Sequence, residues 1–523
     1  MALIGRILLL ATDSVSFHSD EAVVALMARH ILQGERPVFF YGQAYMGSLD
    51  AWLVAIGFRL LGEGVGTIRV VQSVLYLFVV ATGFAAAWVL SGRRLVALTT
   101  GLTLAVPPVV VALYTTATLG GYNETLVFGN VLVILGYQVT HGAARSWWRW
   151  LALGVIAGLG WWTNGLIIAF AVPVGLLVLY RLWKPHPSFP APRTRWAGPL
   201  LALAGFLAGS APWWVYNFEH DFAALAFYFT SGESAVTGND KPSLPFPERV
   251  FGLFVLGLPA MVGLRFPWSP AYVLPPVGAA VIVIYSFALV RLARNRPAAN
   301  GCPALRPDAR WLVLGMIGLF ALIFLISKFG FDPTGRYFLP LALPFGVTLG
   351  ALLVTFGPSR RHLPTAVLAL VLAYHVLGQV MAAGAEYGLT TQLNVQLAIP
   401  NHYDDDLIAF LEANDLRAGY TSYWIAFRLA FLSEERLQYS SSFPYKPTLD
   451  YTPADERYPP YRAAADRAEN PAYITASVPE VKDWLETFFA ERDLAYDFTQ
   501  LGPYSIYYNV RPSPPRPPFP FPK

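Results

Sequence analysis

The sequence predicts a polytopic α-helical membrane protein of about eleven transmembrane helices, followed by a small soluble α/β domain at the C-terminal end. Three observations lead there. Of the 523 residues, 55% are hydrophobic and only 13% charged, with a mean hydropathy of +0.46, values typical of an integral membrane protein. Apolar stretches of spanning length recur up to about residue 390, and the chain turns polar beyond about 400. Lys and Arg collect in particular loops, the bias that marks cytoplasmic connections. The net charge of +4 is small and nothing points to nucleic acid. The lone cysteine, Cys302, excludes an intrachain disulfide, so any external domain must be held by its own core or by docking.

The opening run MALIGRILLLAT has about half of the roughly 20 apolar residues a crossing needs, with Arg6 in its middle, and lacks the small-residue pattern of signal cleavage. It reads as a shortened first helix. Residues 13–63 form a long external loop with an amphipathic interface helix, HSDEAVVALMARHILQGE. Further spans are expected at about 65–90, 95–113, 124–140, 199–216, 271–290, 311–327, 337–356 and 364–382. The loops bearing Arg93-Arg94, Arg145 with Arg149, Lys184 with Arg193 and Arg195, Arg291 through Arg310, and Arg360-Arg361 are basic and are expected inside. For Arg149 and Lys184 to share that side, the chain between them must cross twice, as short helices turning near Thr163-Asn164-Gly165. The run VFGLFVLGLPAMVGL, with Pro267 and Pro270 after it, is expected to be interfacial or re-entrant. This parity leaves the N-terminus inside, and the loops 13–63, 115–123, 217–270 and 328–336 and all residues after about 385 outside.

Residues 1–390 are thus read as a transmembrane domain and 391–510 as an extracytoplasmic α/β domain. Its helix DDDLIAFLEAND opens on acids suited to a helix N-terminus, strands are expected near 419–423, 437–441 and 472–476, a helix at about 479–492, and a strand pair around Leu501-Gly502. Residues 511–523, RPSPPRPPFPFPK, read as a proline-rich disordered tail.

Carboxylates at a membrane surface are costly unless solvated, paired or used. Stepping by three and four from Asp20 reaches Val24, Met27 and Ile31, so Asp20 lies on the apolar stripe of its helix. Either it is aimed into a site as a catalytic acid, or Ser19 caps the helix while Asp20 and Glu21 complement its dipole. Glu124, after GGYN at the outer end of a span, is a second catalytic candidate: it can help Asp20 hold a divalent ion, orient an acceptor or tune the first acid. The alternative is that Asn123 caps and Glu124 is a first-turn acid. Lys328 and Arg336 bracket the external hairpin KFGFDPTGRYFLPLALP and suit a phosphate, unless they snorkel or Arg336 pairs with Asp332. Asn164 either faces the cavity or caps the helix break, and His18, Tyr41 and Gln43 are candidates for lining a sugar pocket.

The segments HSDEAVVALMARHILQGERPVFFYGQAYMGSLDAWL, GLGWWTNGL and SKFGFDPTGRYFLPLALP together resemble the polytopic glycosyltransferases of the GT-C class, such as the protein O-mannosyltransferases and the aminoarabinose and galacturonic acid transferases that modify lipid A. The first resembles that class's acidic first external loop, the second its Thr-Lys-Gly turn with Asn164 where Lys is common, and the third its late Arg-Tyr-x-Leu-Pro segment, here Arg336 and Tyr337 onward. The resemblance implies a polyprenyl-phosphate sugar donor and a lipid, glycan or protein acceptor on the non-cytoplasmic side. It further implies inversion with Asp20 as general base, Glu21 and Glu124 as helpers, Lys328 and Arg336 on the phosphate, and no certain cofactor beyond a divalent cation in some members. A transporter or flippase of lipid-linked sugars is the competing class, although such folds usually show internal repeats and none is seen here. A scaffold binding envelope polymers is a third.

Overall fold

The computed structural model describes residues 2–141, 146–184, 196–227, 244–298, 301–327, 330, 332–357, 360, 362–391 and 398–521. In a bilayer every backbone polar group needs an internal partner, which is why the apolar runs emerge as helices. The chain begins with α1 (Ala2–Ala11), α2 (Ser19–Leu32), the short antiparallel pair β1 (Phe39–Phe40) and β2 (Gln43–Gly47), and α3 (Leu49–Leu61). A helical bundle follows: α4 (Val65–Ser91), α5 (Arg94–Ala105), α6 (Val109–Tyr114), α7 (Tyr122–His141), α8 (Trp147–Thr163), α9 (Ile168–Trp183), α10 (Ala197–Gly209), α11 (Ala211–Glu219) and α12 (Ala223–Ala226). After it come α13 (Phe246–Phe251), running through a π-helical stretch to Met261, then α14 (Pro275–Ala293), α15 (Ala309–Ile326), α16 (Ala342–Leu353) and α17 (His362–Ala383).

Among the described residues six helices are long and apolar enough to cross a membrane, and the bent pair α10–α11, with a 61° break, makes a seventh. The other four of the expected eleven, in α1, α5, α7 and α8, fall short in length or hydropathy by themselves. The continuous segment from α13 to Met261 is not of spanning length. Arg6 in α1 is buried: its guanidinium donates to the Ala112 carbonyl at 3.1 Å and to Thr115 and Thr116, with Cζ 4.0 Å from the Tyr76 ring centroid. The arginine that interrupts the first apolar run is therefore a bolt into α4 and α6.

Helices α8 and α10 meet backbone to backbone. A Cβ added at Gly154 would lie 1.9 Å from the Ala202 carbonyl and one at Gly209 2.2 Å from that of Val155, so the paired Gly-x-x-x-Gly runs 154–158 and 205–209 permit the approach. The expected break at Asn164 is present, between α8 and a 3₁₀ turn entering α9, and its backbone bridges to Met46 of β2. That bridge fixes the first loop onto the bundle.

The C-terminal domain contains α18 (Asp404–Ala413), β3 (Ala418–Ser422), α19 (Tyr423–Leu432), β4 (Gln438–Phe443), α20 (Pro459–Arg467), β5 (Ala472–Ala476), α21 (Pro479–Ala490), β6 (Ala495–Leu501) and β7 (Tyr504–Arg511). The sheet order is β4-β3-β5-β7-β6, with β3 parallel to both neighbours and β7 antiparallel to both of its own. The tail expected to be disordered is instead laid against this domain: Tyr473 donates to the Pro515 carbonyl at 2.6 Å, Arg516 reaches the Ala468 carbonyl at 2.8 Å, and Phe519 joins the Tyr420, Phe443, Tyr473 and Phe489 core. Proline prevents strand pairing there but not burial of the intervening aromatics.

Helix α2 is enclosed rather than half-exposed, because α3 covers one side and α19 the other. Val23, Val24, Met27 and Phe58 share one apolar core with Phe427, Leu429 and Phe431. Around it, Asn401 exchanges hydrogen bonds with the Phe17 backbone (3.1 and 2.8 Å), and Glu435 accepts from Arg29 at 3.2 Å, from His30 at 3.0 Å and from Tyr461 at 2.7 Å. The C-terminal domain is thereby seated on the first loop.

Candidate active site

Asp20 occupies the first turn of α2, and only it, of the two acids there, stays partly exposed. The Tyr423 hydroxyl, from the start of α19, donates to Asp20 Oδ1 at 2.5 Å, while the Ser19 hydroxyl donates to the Tyr423 carbonyl at 2.6 Å. Burial, and next the negative Asp20 beside it, push the Tyr423 hydroxyl well above its ordinary range, so the tyrosine is the donor. Asp20 also stands in the electrostatic reach of His18, Tyr45, Tyr114, Asp455 and Arg457. Burial pushes the Asp455 carboxyl up to about 7, against the pull of Arg457 and with the repulsion of Asp20.

On the membrane side stands Arg336, at the start of the 3₁₀ turn Arg336–Leu341 that leads into α16. The Asp332 partner considered for it is occupied elsewhere: its carboxylate accepts from the Thr334 and Gly335 amides (both 3.0 Å), the Thr334 hydroxyl (2.7 Å) and the Tyr337 amide (2.6 Å). Among the described residues no carboxylate pairs with the Arg336 guanidinium, which lies 5.3 Å from the Tyr337 ring centroid and near Tyr114 and Tyr122. Tyr45 and Tyr114 each lie within electrostatic reach of both Asp20 and Arg336. The first-loop acid and the late arginine thus have Tyr45 and Tyr114 as common neighbours. Lys328, the other expected phosphate contact, lies outside the described residues.

Several expected site residues have other work. The Glu21 carboxylate, fully buried, receives Arg69 Nη2 at 2.7 Å, and Arg69 also reaches the Val15 and Ser16 carbonyls at 3.3 Å. Burial raises its pKa to about 7 although Arg69 opposes the shift. A carboxylate so enclosed braces the α2 entrance, with Oε1 left without a hydrogen-bond partner among the described residues. Glu124 is buried against Asp50, whose own carboxylate is held by Gln72 at 2.7 Å, the Gly121 amide at 3.3 Å and the Thr118 hydroxyl. It is thus a neighbour of Asp50, and neither of its oxygens has a hydrogen-bond partner among the described residues. Asp20 and Glu124, considered for a divalent ion, have different surroundings, and no group of three His, Cys, Asp or Glu side chains suited to a metal occurs among the described residues.

Tyr41 is drawn away to Glu35 (2.6 Å) and His30 (2.9 Å) and stacks on Tyr458 at 5.0 Å. Asn164 spends its amide on the backbone, accepting from Leu166 N at 3.0 Å and donating to the Gly120 carbonyl at 3.2 Å, so it caps the break. Gln43 meets Arg457 and Tyr45: in the amide orientation that satisfies both ends, its oxygen accepts from Arg457 Nη1 and Nη2 (2.5 and 2.7 Å) and its nitrogen donates to the Tyr45 hydroxyl at 3.2 Å. His18 lies edge-on to Trp424 at 6.3 Å, with neither ring nitrogen hydrogen-bonded, and burial lowers its pKa to about 4 despite Asp20. It is neutral at physiological pH.

Tyr423, Asp455, Arg457 and Tyr114 were not legible as site residues. The first is separated from Asp20 by 403 positions and sits in an ordinary amphipathic helix, YWIAFRLAFL. Asp50 carried a usable signal, an acid in the first turn of an apolar helix, the same pattern that singled out Asp20.

The architecture is a helical bundle with an acid-bearing first loop and a sheet domain docked over that loop. Over 98% of its length and 98% of the other chain, it is similar to the crystal structure of ArnT from Cupriavidus metallidurans bound to undecaprenyl phosphate, with 14% identity and a TM-score of 0.61. The apo structure of the same ArnT gives 15% identity and a TM-score of 0.58, over 95% of this chain and 94% of that one. No protein-family model and no curated protein matches the sequence.

Proposed function

We propose that the protein is a membrane glycosyltransferase that moves a sugar from a polyprenyl-phosphate donor to an acceptor hydroxyl on a lipid, glycan or protein outside the cytoplasm, with inversion. The observation that carries this reading is that a partly exposed carboxylate, Asp20, and Arg336, which pairs with no carboxylate among the described residues, have Tyr45 and Tyr114 as common neighbours. The similar ArnT structure bound to undecaprenyl phosphate supports a donor of that class.

In this mechanism Asp20 removes the acceptor proton as the hydroxyl oxygen attacks the anomeric carbon from the face opposite the phosphate. The bond from that carbon to the phosphate oxygen breaks, and the released polyprenyl phosphate carries the departing electron pair. Arg336 stabilises the charge that develops there, in a setting where low dielectric strengthens the interaction. The tyrosines around Arg336 supply hydroxyls at the rim of a cavity whose lipid side must open to the bilayer.

Asp20→Asn should lower transfer from undecaprenyl-phosphate-linked sugars by about 10²- to 10⁴-fold, the range expected for loss of a general base, while detergent-extracted protein stays monodisperse and retains undecaprenyl phosphate. Near-normal turnover removes the base assignment.

A further inference from the structure

The C-terminal domain has no role in the mechanism above, yet it reaches the catalytic carboxylate. Four observations converge. The Tyr423 hydroxyl meets Asp20 Oδ1 at 2.5 Å, leaving Oδ2 without a hydrogen-bond partner among the described residues. Tyr423 is 2% exposed, so its side of that contact is shielded from solvent. Its ring lies 5.3 Å from the Arg457 guanidinium, which is itself buried and clasped by the Gln43 amide of the first loop. Gly42, at φ +69°, brings that loop so close to Arg457 that a Cβ there would be 2.9 Å from Arg457 Cδ. Tyr423 and Arg457 both belong to the C-terminal domain, and Asp20, Gly42 and Gln43 to the first loop of the bundle.

We propose that the C-terminal domain completes the catalytic centre: Tyr423, braced by Arg457 and Gln43, is a positioning residue that fixes Asp20 so that only Oδ2 faces the acceptor. This inference rests on the reading of Asp20 as the base. A hydrogen bond to one oxygen of a carboxylate restricts its rotation, so its free oxygen is aimed. The other charged or titratable groups facing Asp20 are His18 from its own loop, Tyr45 from β2, Tyr114 from α6, and Tyr445, Asp455 and Arg457 from the C-terminal domain. Among the described residues only Tyr423 has a hydrogen bond to the Asp20 carboxylate. No covalent step is added to the proposed reaction, and the proton from the acceptor still goes to Asp20.

The test uses the full chain in proteoliposomes with a panel of undecaprenyl-phosphate-linked sugars as donors, and undecaprenyl phosphate alone as a binding probe. Tyr423→Phe should lower kcat about 10-fold or more, leave donor KM and undecaprenyl phosphate binding within about twofold of the wild type, and move the acidic limb of the pH–rate profile up by about one unit. Unchanged kcat and an unmoved limb overturn the proposal. Should Tyr423→Phe fail to fold, site-specific fluorotyrosine at 423 keeps the ring while making the hydroxyl a stronger donor, and the limb must then move to lower pH; an unmoved limb overturns the proposal equally. The two readings separate cleanly: active Asp20→Asn sinks the base assignment, whereas inactive Asp20→Asn with wild-type behaviour in Tyr423→Phe sinks only the role of the C-terminal domain.

Discussion

Arg336 stands beside Tyr337 and near Tyr114 and Tyr122, while the nearest acid in its own hairpin, Asp332, is turned toward backbone amides. Among the described residues no carboxylate pairs with this guanidinium, and its planar fork suits a phosphate. Arg336→Gln should weaken undecaprenyl phosphate binding about 10- to 100-fold, the loss expected for charge-assisted hydrogen bonds, with less effect on thermal unfolding. Native mass spectrometry of retained undecaprenyl phosphate checks this; equal retention by the variant contradicts the phosphate role. The same scale shows why the surroundings of Glu21 and Glu124 were not legible. Burial, hydrogen-bond partners and the choice between two adjacent acids are properties of neighbours far along the chain, Arg69 and Asp50 here, and a single helix wheel cannot show them.

At the scale of elements, the first loop and α19 meet through one apolar core and a cluster of charges around Glu435. Burial alone would raise the Glu435 pKa, but hydrogen bonds from His30, Tyr461 and Arg29 hold it down to about 2. Since its folded pKa lies below the ordinary 4.5, its contribution to stability is full above about pH 4.5 and is lost as the pH falls through about 2. Glu435→Gln should therefore lower Tm by a few degrees at neutral pH, with the gap to the wild type closing as the pH approaches 2. Thermal unfolding between pH 7 and 2.5 measures it, and a gap that stays constant with pH contradicts the assignment. Elements of this kind were largely legible: the alternation in YSIYYNV and AYDFTQ foretold β7 and β6, and the basic loops foretold the break at Asn164. Two features were not. The proline-rich end packs because Phe519 and Phe521 find an aromatic surface made by other elements, and the amphipathic α2 is buried on both sides because a distant domain covers its polar face.

For the whole molecule, the chain's two parts are not independent modules. The first loop is pinned to the bundle by Met46 and Asn164, and to the C-terminal domain by Asn401, Tyr423 and Glu435, so Asp20 is held from both. Its central claim is geographic: the carboxylate and the arginine address one substrate from opposite sides. A cryo-electron microscopy structure of the full chain with undecaprenyl phosphate tests this most directly. The account predicts the phosphate on Arg336, with the Asp20 carboxylate facing the same cavity across Tyr45 and Tyr114. A phosphate bound away from Arg336, or a wall of lipid between Arg336 and Asp20, would contradict it.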